Sequence, residues 1–205
     1  YGHTFGNPCG GLMSLQCFVN GSLAREAVKD RFGHNWEQFS EALKNTPPCN
    51  NGNIMIPFFR SEQSPKVSID APILDGSKAF TQWDDADACI RACVEGQVMN
   101  MKLCVDWMQL RPEVIYLTGG ASQNNEIAQI VADVFQARTE RLAVTSSVAL
   151  GGAIRGASVC MGLKLPELET SFCTLGNAIE PRIELKEPYL NALSKFAALM
   201  ASIGR

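Results

Sequence analysis

The run Ile115-Tyr-Leu-Thr-Gly-Gly-Ala-Ser-Gln-Asn124 constrains this chain more than any other stretch. Val114 to Leu117 is β-branched and aromatic, which reads as a buried strand. Gly119-Gly120 then allows a tight turn in which main chain approaches a ligand with no Cβ in the way. Asn124 ends the turn, and Ile127, Ile130, Val131 and Val134 recur beyond it at helical spacing. Strand, glycine turn and helix N-terminus together present backbone N–H groups and a positive dipole end to an anion. That is the physics of a nucleotide loop. It is not a Walker A loop, because no Gly-Lys-Ser/Thr follows, and the third glycine of the dinucleotide pattern is missing. A strand–glycine–helix turn also occurs in α/β proteins as plain tight packing, so both readings stand at this level.

The 205 residues suffice for one large domain, and the content, 46% hydrophobic and 19% charged, excludes a largely disordered chain. With a net charge of −3 and no basic stripe to neutralise phosphates, binding to DNA or RNA is not expected. No apolar run approaches the roughly 18 to 20 residues that span a bilayer. Tyr1-Gly-His-Thr-Phe carries neither an initiator Met nor a signal-peptide pattern, and so reads as a fragment whose N-terminal part lies elsewhere. Eight cysteines contain no Cys-x-x-Cys pair, and His3 and His34 are the only histidines. No zinc cluster assembles from such spacing, which predicts reduced thiols in a cytoplasmic protein. Both histidines read as surface or turn residues.

Along the chain, Gly6-Asn-Pro-Cys-Gly-Gly11 is a turn, Leu12 to Val19 a strand, and Ser22 to Asp30 a helix. Asn35 is placed to cap a helix from Trp36 to Leu43, ahead of Pro47-Pro48. Cys49 to Asp84 is irregular, with one strand from Asn53 to Phe59 and turn signals at Asn50-Asn-Gly52 and Leu74-Asp-Gly76. Asp84-Asp85 opens the longest helix, to about Leu110. After the glycine turn come a strand from Leu142 to Thr145 and a helix from Val148 to Met161. Gly151, Gly152 and Gly156 weaken that helix, which is expected where it packs closely on a sheet or a nucleotide. A last helix, Glu187 to Ile203, carries Leu190, Leu193, Phe196, Ala197 and Met200 on one face. No linker composition and no repeat divides the chain, so it reads as one domain.

The segments His3-Thr-Phe-Gly-Asn-Pro8, Cys17-Phe-Val-Asn-Gly-Ser-Leu-Ala-Arg-Glu26, Arg91-Ala-Cys-Val-Glu-Gly-Gln97, Thr118-Gly-Gly-Ala-Ser-Gln-Asn124 and Ser147-Val-Ala-Leu-Gly-Gly-Ala153 occur in family order. They resemble the C-terminal lobe of FGGY-type carbohydrate kinases, and within them the xylulokinase branch, to which Asn20-Gly-Ser-Leu-x-Arg-Glu26 points. The resemblance covers most of the chain. It implies an α/β fold: a ribonuclease H-like (actin-like ATPase) lobe, a mixed sheet with helices on both faces. ATP and a ketose sugar would lie in the cleft between two such lobes, with Mg²⁺. This lobe would hold the nucleotide.

By matching position, Gly119, Gly120 and Ala121 would face the α-phosphate and ribose, and Asn124 the adenine edge. Gly21 and Arg25 would line the other wall, and Trp36 would lie beside the adenine. Each has a plainer reading: Arg25 as a surface partner of Glu26 or Asp30, Trp36 as an interior anchor. Glu95-Gly96 reads as helix–sheet packing, and Gly151-Gly152 as a close approach to the nucleotide-side sheet. The resemblance places the catalytic aspartate, the Gly-Thr-Ser phosphate loop, the metal ligands and the first β-hairpin of the lobe upstream, so no catalytic residue is assigned here. The expected reaction is ATP-dependent phosphorylation of D-xylulose. The alternatives are another FGGY kinase, for ribulose, gluconate or glycerol, and a non-catalytic actin-like nucleotide-binding module.

Overall fold

Thirteen consecutive residues of one helix, Ala88 to Asn100, are buried, and the rest of the chain is arranged around them. The computed structural model describes residues 2–7, 10–144 and 146–203. The chain opens with a hairpin of β1 (His3–Gly6) and β2 (Leu12–Leu15). Helices α1 (Ser22–Arg31) and α2 (Trp36–Asn45) follow, then β3 (Ile54–Ile56), β4 (Ile73–Asp75) and the short α3 (Lys78–Thr81). The central helix is α4 (Ala86–Val105). After it come β5 (Val114–Leu117), α5 (Asn125–Phe135), β6 (Arg138–Arg141), α6 (Ser147–Met161), α7 (Leu165–Phe172) and α8 (Lys186–Ser202).

A helix buried all the way round has to be surrounded, and α4 packs against α1, α2, α5 and β3. Asp85 starts it, its carboxylate accepting from the Ala88 N–H at 3.0 Å. Gly96 is required by proximity: a Cβ there would stand 2.2 Å from the Met55 carbonyl oxygen of β3. Immediately before it, Glu95 is buried with its partners in place. Its Oε1 accepts from Arg91 Nε at 2.8 Å, the Tyr189 hydroxyl at 2.8 Å and the Cys49 N–H at 3.0 Å. Arg91 also donates to the Leu43 carbonyl at 2.8 Å. This network joins α4 to α2, to α8 and to the 3-10 turn Pro48–Gly52. Burial pushes the Glu95 carboxyl above the usual range and Arg91 pulls it back.

The expected mixed sheet is not continuous among the described residues. Its strands form three two-stranded ladders: β1–β2 and β3–β4 antiparallel, β5–β6 parallel. β2 stops at Leu15, short of Val19. The Val19 and Asn20 N–H groups turn away to the Glu62 carboxylate, at 2.8 and 3.0 Å. Similarly, β3 ends at Ile56 because Pro57 has no N–H to continue a ladder. The strand expected from Leu142 is instead β6, over Arg138–Arg141. This polar stretch pairs with β5 in register Val114 to Arg138 and buries Thr139 and Glu140. Leu142 makes only an isolated bridge to Leu175, and Thr145 lies outside the described residues.

Other differences concern ends and faces. α4 stops at Val105, passing into a 3-10 turn over Asp106–Met108 that closes at Gln109 with φ 51°. In α8 the buried side chains are Tyr189 and Phe196, whereas Leu190 is exposed. The glycines of α6 do not serve a close approach within this chain. Among the described residues, a Cβ at Gly151, Gly152 or Gly156 would meet nothing within 4 Å, and Val148 beside them is 88% exposed. Elements missed by the sequence pattern are β1, β4, α3 and α7.

The seven described cysteines are unpaired. Burial pushes the Cys89 and Cys93 thiols up to about 12. At pH 8 only about 10⁻⁴ of each is thiolate, the nucleophilic form. A thiol reagent at that pH should therefore label the exposed Cys17 and Cys160 and spare Cys89 and Cys93 until the chain is denatured, as peptide mass mapping can check. For Gly96→Ala, helix propensity alone forecasts a gain, but the clash with backbone forecasts a loss of roughly 1–3 kcal/mol. Thermal denaturation should show a lowered Tm. An unchanged or raised Tm would mean that α4 and β3 do not meet this closely.

Candidate functional site

At the carboxyl end of β5 the chain reverses through Gly119, at φ 84° and ψ −179°, a conformation that favours glycine. Gly120–Gln123 forms one 3-10 turn, closed by the Ser122 hydroxyl donating to the Gly119 carbonyl at 2.7 Å. Asn124 then caps α5, its Oδ1 accepting from the Glu126 and Ile127 N–H groups at 2.9 and 3.1 Å. Its Nδ2 donates to the Ser40 hydroxyl at 2.7 Å, while Ser40 donates to the Trp36 carbonyl at 2.9 Å. So the side-chain amide expected at an adenine edge is already engaged at both ends, tying the glycine turn to α2. From below, Arg141 of β6 braces the same turn, donating to the Ser122 carbonyl at 3.0 Å and to Asn125 Oδ1 at 2.7 Å. The Thr118 and Ser147 hydroxyls bond to each other, joining the end of β5 to the start of α6.

A cavity of about 510 Å³ lies between this turn and helices α1 and α2. Arg25, Trp36, Gly120, Ala121 and Asn124 all line it. Gly21 and Gly119 do not. They are the residues before Ser22 and Gly120, which do. Trp36 is 49% exposed, which corrects the reading as an interior anchor. Its ring sits edge-on to Phe39 at 5.3 Å, with Lys29 Nζ 5.3 Å from its centroid. α2 holds it there because Asn35 and Gln38 form a reciprocal capping box.

Arg25 likewise does not take the surface ion-pair reading: its described hydrogen bond runs to Gln97 Oε1 at 2.8 Å, and Asp30 pairs with Lys29. Burial pulls the Arg25 guanidinium below its ordinary pKa, with Glu26 among the groups opposing that shift. Arg25 is thus a half-buried cation resting on a neutral amide, with Glu26 the one carboxylate along the cavity wall. Gln97, Ser40 and Arg141 support the site and escape sequence reading, since their partners are distant in the chain. His3 is exposed in β1, and His34 Nδ1 lies 3.0 Å from the Phe32 carbonyl in the turn after α1. Among the described residues, no group of three His, Cys, Asp or Glu side chains is placed to hold a metal.

Residues 7–160 match the C-terminal domain of the FGGY family of carbohydrate kinases. This chain belongs to that family. It is 34% identical to the xylulose kinase of Mus musculus over 97% of its own length, and spans 37% of that protein. Among solved structures, a ligand-bound xylulose kinase from Lactobacillus acidophilus superposes with a TM-score of 0.84 at 17% identity, covering 99% of this chain and 43% of that one. The gluconate kinase from Lactobacillus acidophilus gives 0.80 at 18% identity, covering 98% and 43%. The fold is therefore that of an FGGY kinase C-terminal lobe.

The capping role of Asn124 has a measurable consequence. Asn124→Ala should cost about 1 kcal/mol of stability through loss of the α5 cap. Asn124→Asp keeps the acceptor that the cap needs and should retain most of it. Chemical denaturation of the two variants separates cap from tether, and equal stability of Asn124→Ala and the parent chain would contradict the geometry.

Proposed function

We propose that this chain supplies the ATP-binding side of the interlobe cleft of a kinase that phosphorylates D-xylulose to xylulose 5-phosphate. The observation that carries the reading is the single cavity onto which Arg25, Trp36, Gly120, Ala121 and Asn124 converge. In it the adenine stacks on the exposed face of Trp36, a contact worth roughly 1–3 kcal/mol. Gly119, Gly120 and Ala121 let main chain run beside ribose and α-phosphate, and a Cβ added at Gly119 or Gly120 would project into open space. Arg25 supplies positive charge from the opposite wall, where Gly21 begins α1. Asn124 acts mainly by holding the turn, because contact with the adenine edge would cost its bond to Ser40.

Phosphoryl transfer depends on positioning and charge neutralisation around the moving group. This lobe contributes positioning of the adenosine end. As the family resemblance implies, the reading assigns the metal ligands, the catalytic base and the γ-phosphate donors to polypeptide outside this chain. It also treats the chain as one lobe of a cytoplasmic enzyme. Xylulose is favoured as substrate by the 34% identity to a xylulose kinase over nearly the whole chain. A second reading, another sugar or polyol kinase of the family, is supported by the fold likeness to a gluconate kinase.

The test is titration of the chain with ADP, followed by ¹H–¹⁵N NMR. Weak binding is expected, shifting the Trp36 indole and the Gly120 and Ala121 amides, and Gly120→Val should weaken it further. Shifts clustered elsewhere would overturn the site. No xylulose phosphorylation is expected from the chain alone, and ATP-dependent turnover by it would overturn the division of labour between lobes.

A further inference from the structure

Behind the cavity wall, Gln97 of α4 is only 4% exposed and makes three hydrogen bonds to the segment that carries Arg25. Its Nε2 donates to the Asn20 and Gly21 carbonyls, both at 2.7 Å. Two carbonyl acceptors fix which end of the amide is the nitrogen, so Oε1 has to face the other way. There it accepts from Arg25 Nη1 at 2.8 Å. The turn it grips is held from its other side as well. Asn20 Nδ2 donates to Glu62 Oε2 and to the Arg60 carbonyl, and Asn20 Oδ1 accepts from the Phe59 and Arg60 N–H groups.

We propose that Gln97 is a positioning residue: it aims the Arg25 guanidinium into the cavity and locks that side chain to the turn that opens α1. As a contributor to nucleotide binding this rests on the proposed nucleotide reading of the cavity. As a statement about Arg25 it does not. The physical case is preorganisation. An arginine side chain free to rotate loses conformational freedom when it meets an anion, and one already held by a buried acceptor loses less. A neutral acceptor also leaves the cation's charge available, where a carboxylate in the same place would neutralise it. The amide is the side-chain group that offers an acceptor to Arg25 and two donors to the carbonyls at once.

The experiment uses the 205-residue chain, with the Arg25 guanidinium followed by ¹⁵N NMR and ADP as the titrant. Gln97→Met removes all three bonds at similar volume. The expected result is loss of exchange protection at the Arg25 guanidinium and a rise of about tenfold in the Kd for ADP. Arg25→Ala should weaken ADP by a similar factor, and the double variant should be no weaker than either single one, since both remove the same contact. Gln97→Glu keeps an acceptor for Arg25 while facing the two carbonyls with another acceptor, so it should hold the Arg25 signals and weaken the turn.

Unchanged Arg25 signals in folded Gln97→Met, or losses that add independently in the double variant, would overturn the proposal. Should Gln97→Met not fold, Gln97→Glu decides. Retained Arg25 protection supports the role, and loss of it means that the turn, not the acceptor, orients the arginine. ADP that leaves the Arg25 and Trp36 signals of the parent chain unmoved, with Arg25 still freed in Gln97→Met, would overturn the nucleotide reading and leave the positioning of Arg25 standing.

Discussion

One buried carboxylate, that of Glu95, conditions the rest of this lobe. It sits at the centre of the helix that the other elements surround, among side chains that offer no water. A charge in such a place is tolerable only with partners, and three separate segments supply them: Arg91 on its own helix, Tyr189 of α8 and the Cys49 N–H of the 3-10 turn. Because all three reach one oxygen, the turn at Cys49, in the first third of the chain, and α8, in the last, are fixed against α4. Apolar burial supplies the driving force, and this contact selects one arrangement of it.

The same helix serves the cavity with the two residues that follow Glu95. Gly96 lets β3 approach, and Gln97 reaches the opposite side to hold α1. Neither residue lines the cavity. The wall at Arg25 and Trp36 is therefore presented by two short helices whose placement derives from α4, while the wall at Gly120 is presented by β5 and α5. Ser40 and Asn124 connect the two walls by a single hydrogen bond. That bond spans the cleft between elements 84 residues apart in the chain.

Local chemistry was legible in the sequence where the decisive interaction is itself local. Asn35 caps α2 through a residue three positions on, and Asn124, read as the end of the turn, sits where it caps α5 through residues two and three positions on. The glycine turn needed only the two residues that make it. What escaped depends on partners far along the chain. Nothing around Glu62 announces that its carboxylate will capture the Val19 and Asn20 N–H groups, more than forty residues earlier. Hydrophobic pattern pointed to a strand from Leu142 to Thr145, yet β5 pairs with the charged Arg138-Thr-Glu-Arg141, whose last residue braces the glycine turn. The glycines of α6 invited a reading as close packing, and within this chain they face open space.

β5 makes its ladder with β6 alone, and its other edge has no partner among the described residues. Tyr116 beside that edge is 61% exposed, and in the β1–β2 hairpin all eight residues are exposed. An uncovered strand edge presents a row of N–H and C=O groups to any chain that can pair with it. No proline or bulge blunts this one, and its sequence, Val-Ile-Tyr-Leu, carries no charge. At high concentration the 205-residue chain is thus exposed to edge-to-edge association through the same strand that ends at the glycine turn. The unpaired edge and the glycine turn of the candidate site meet at one four-residue strand.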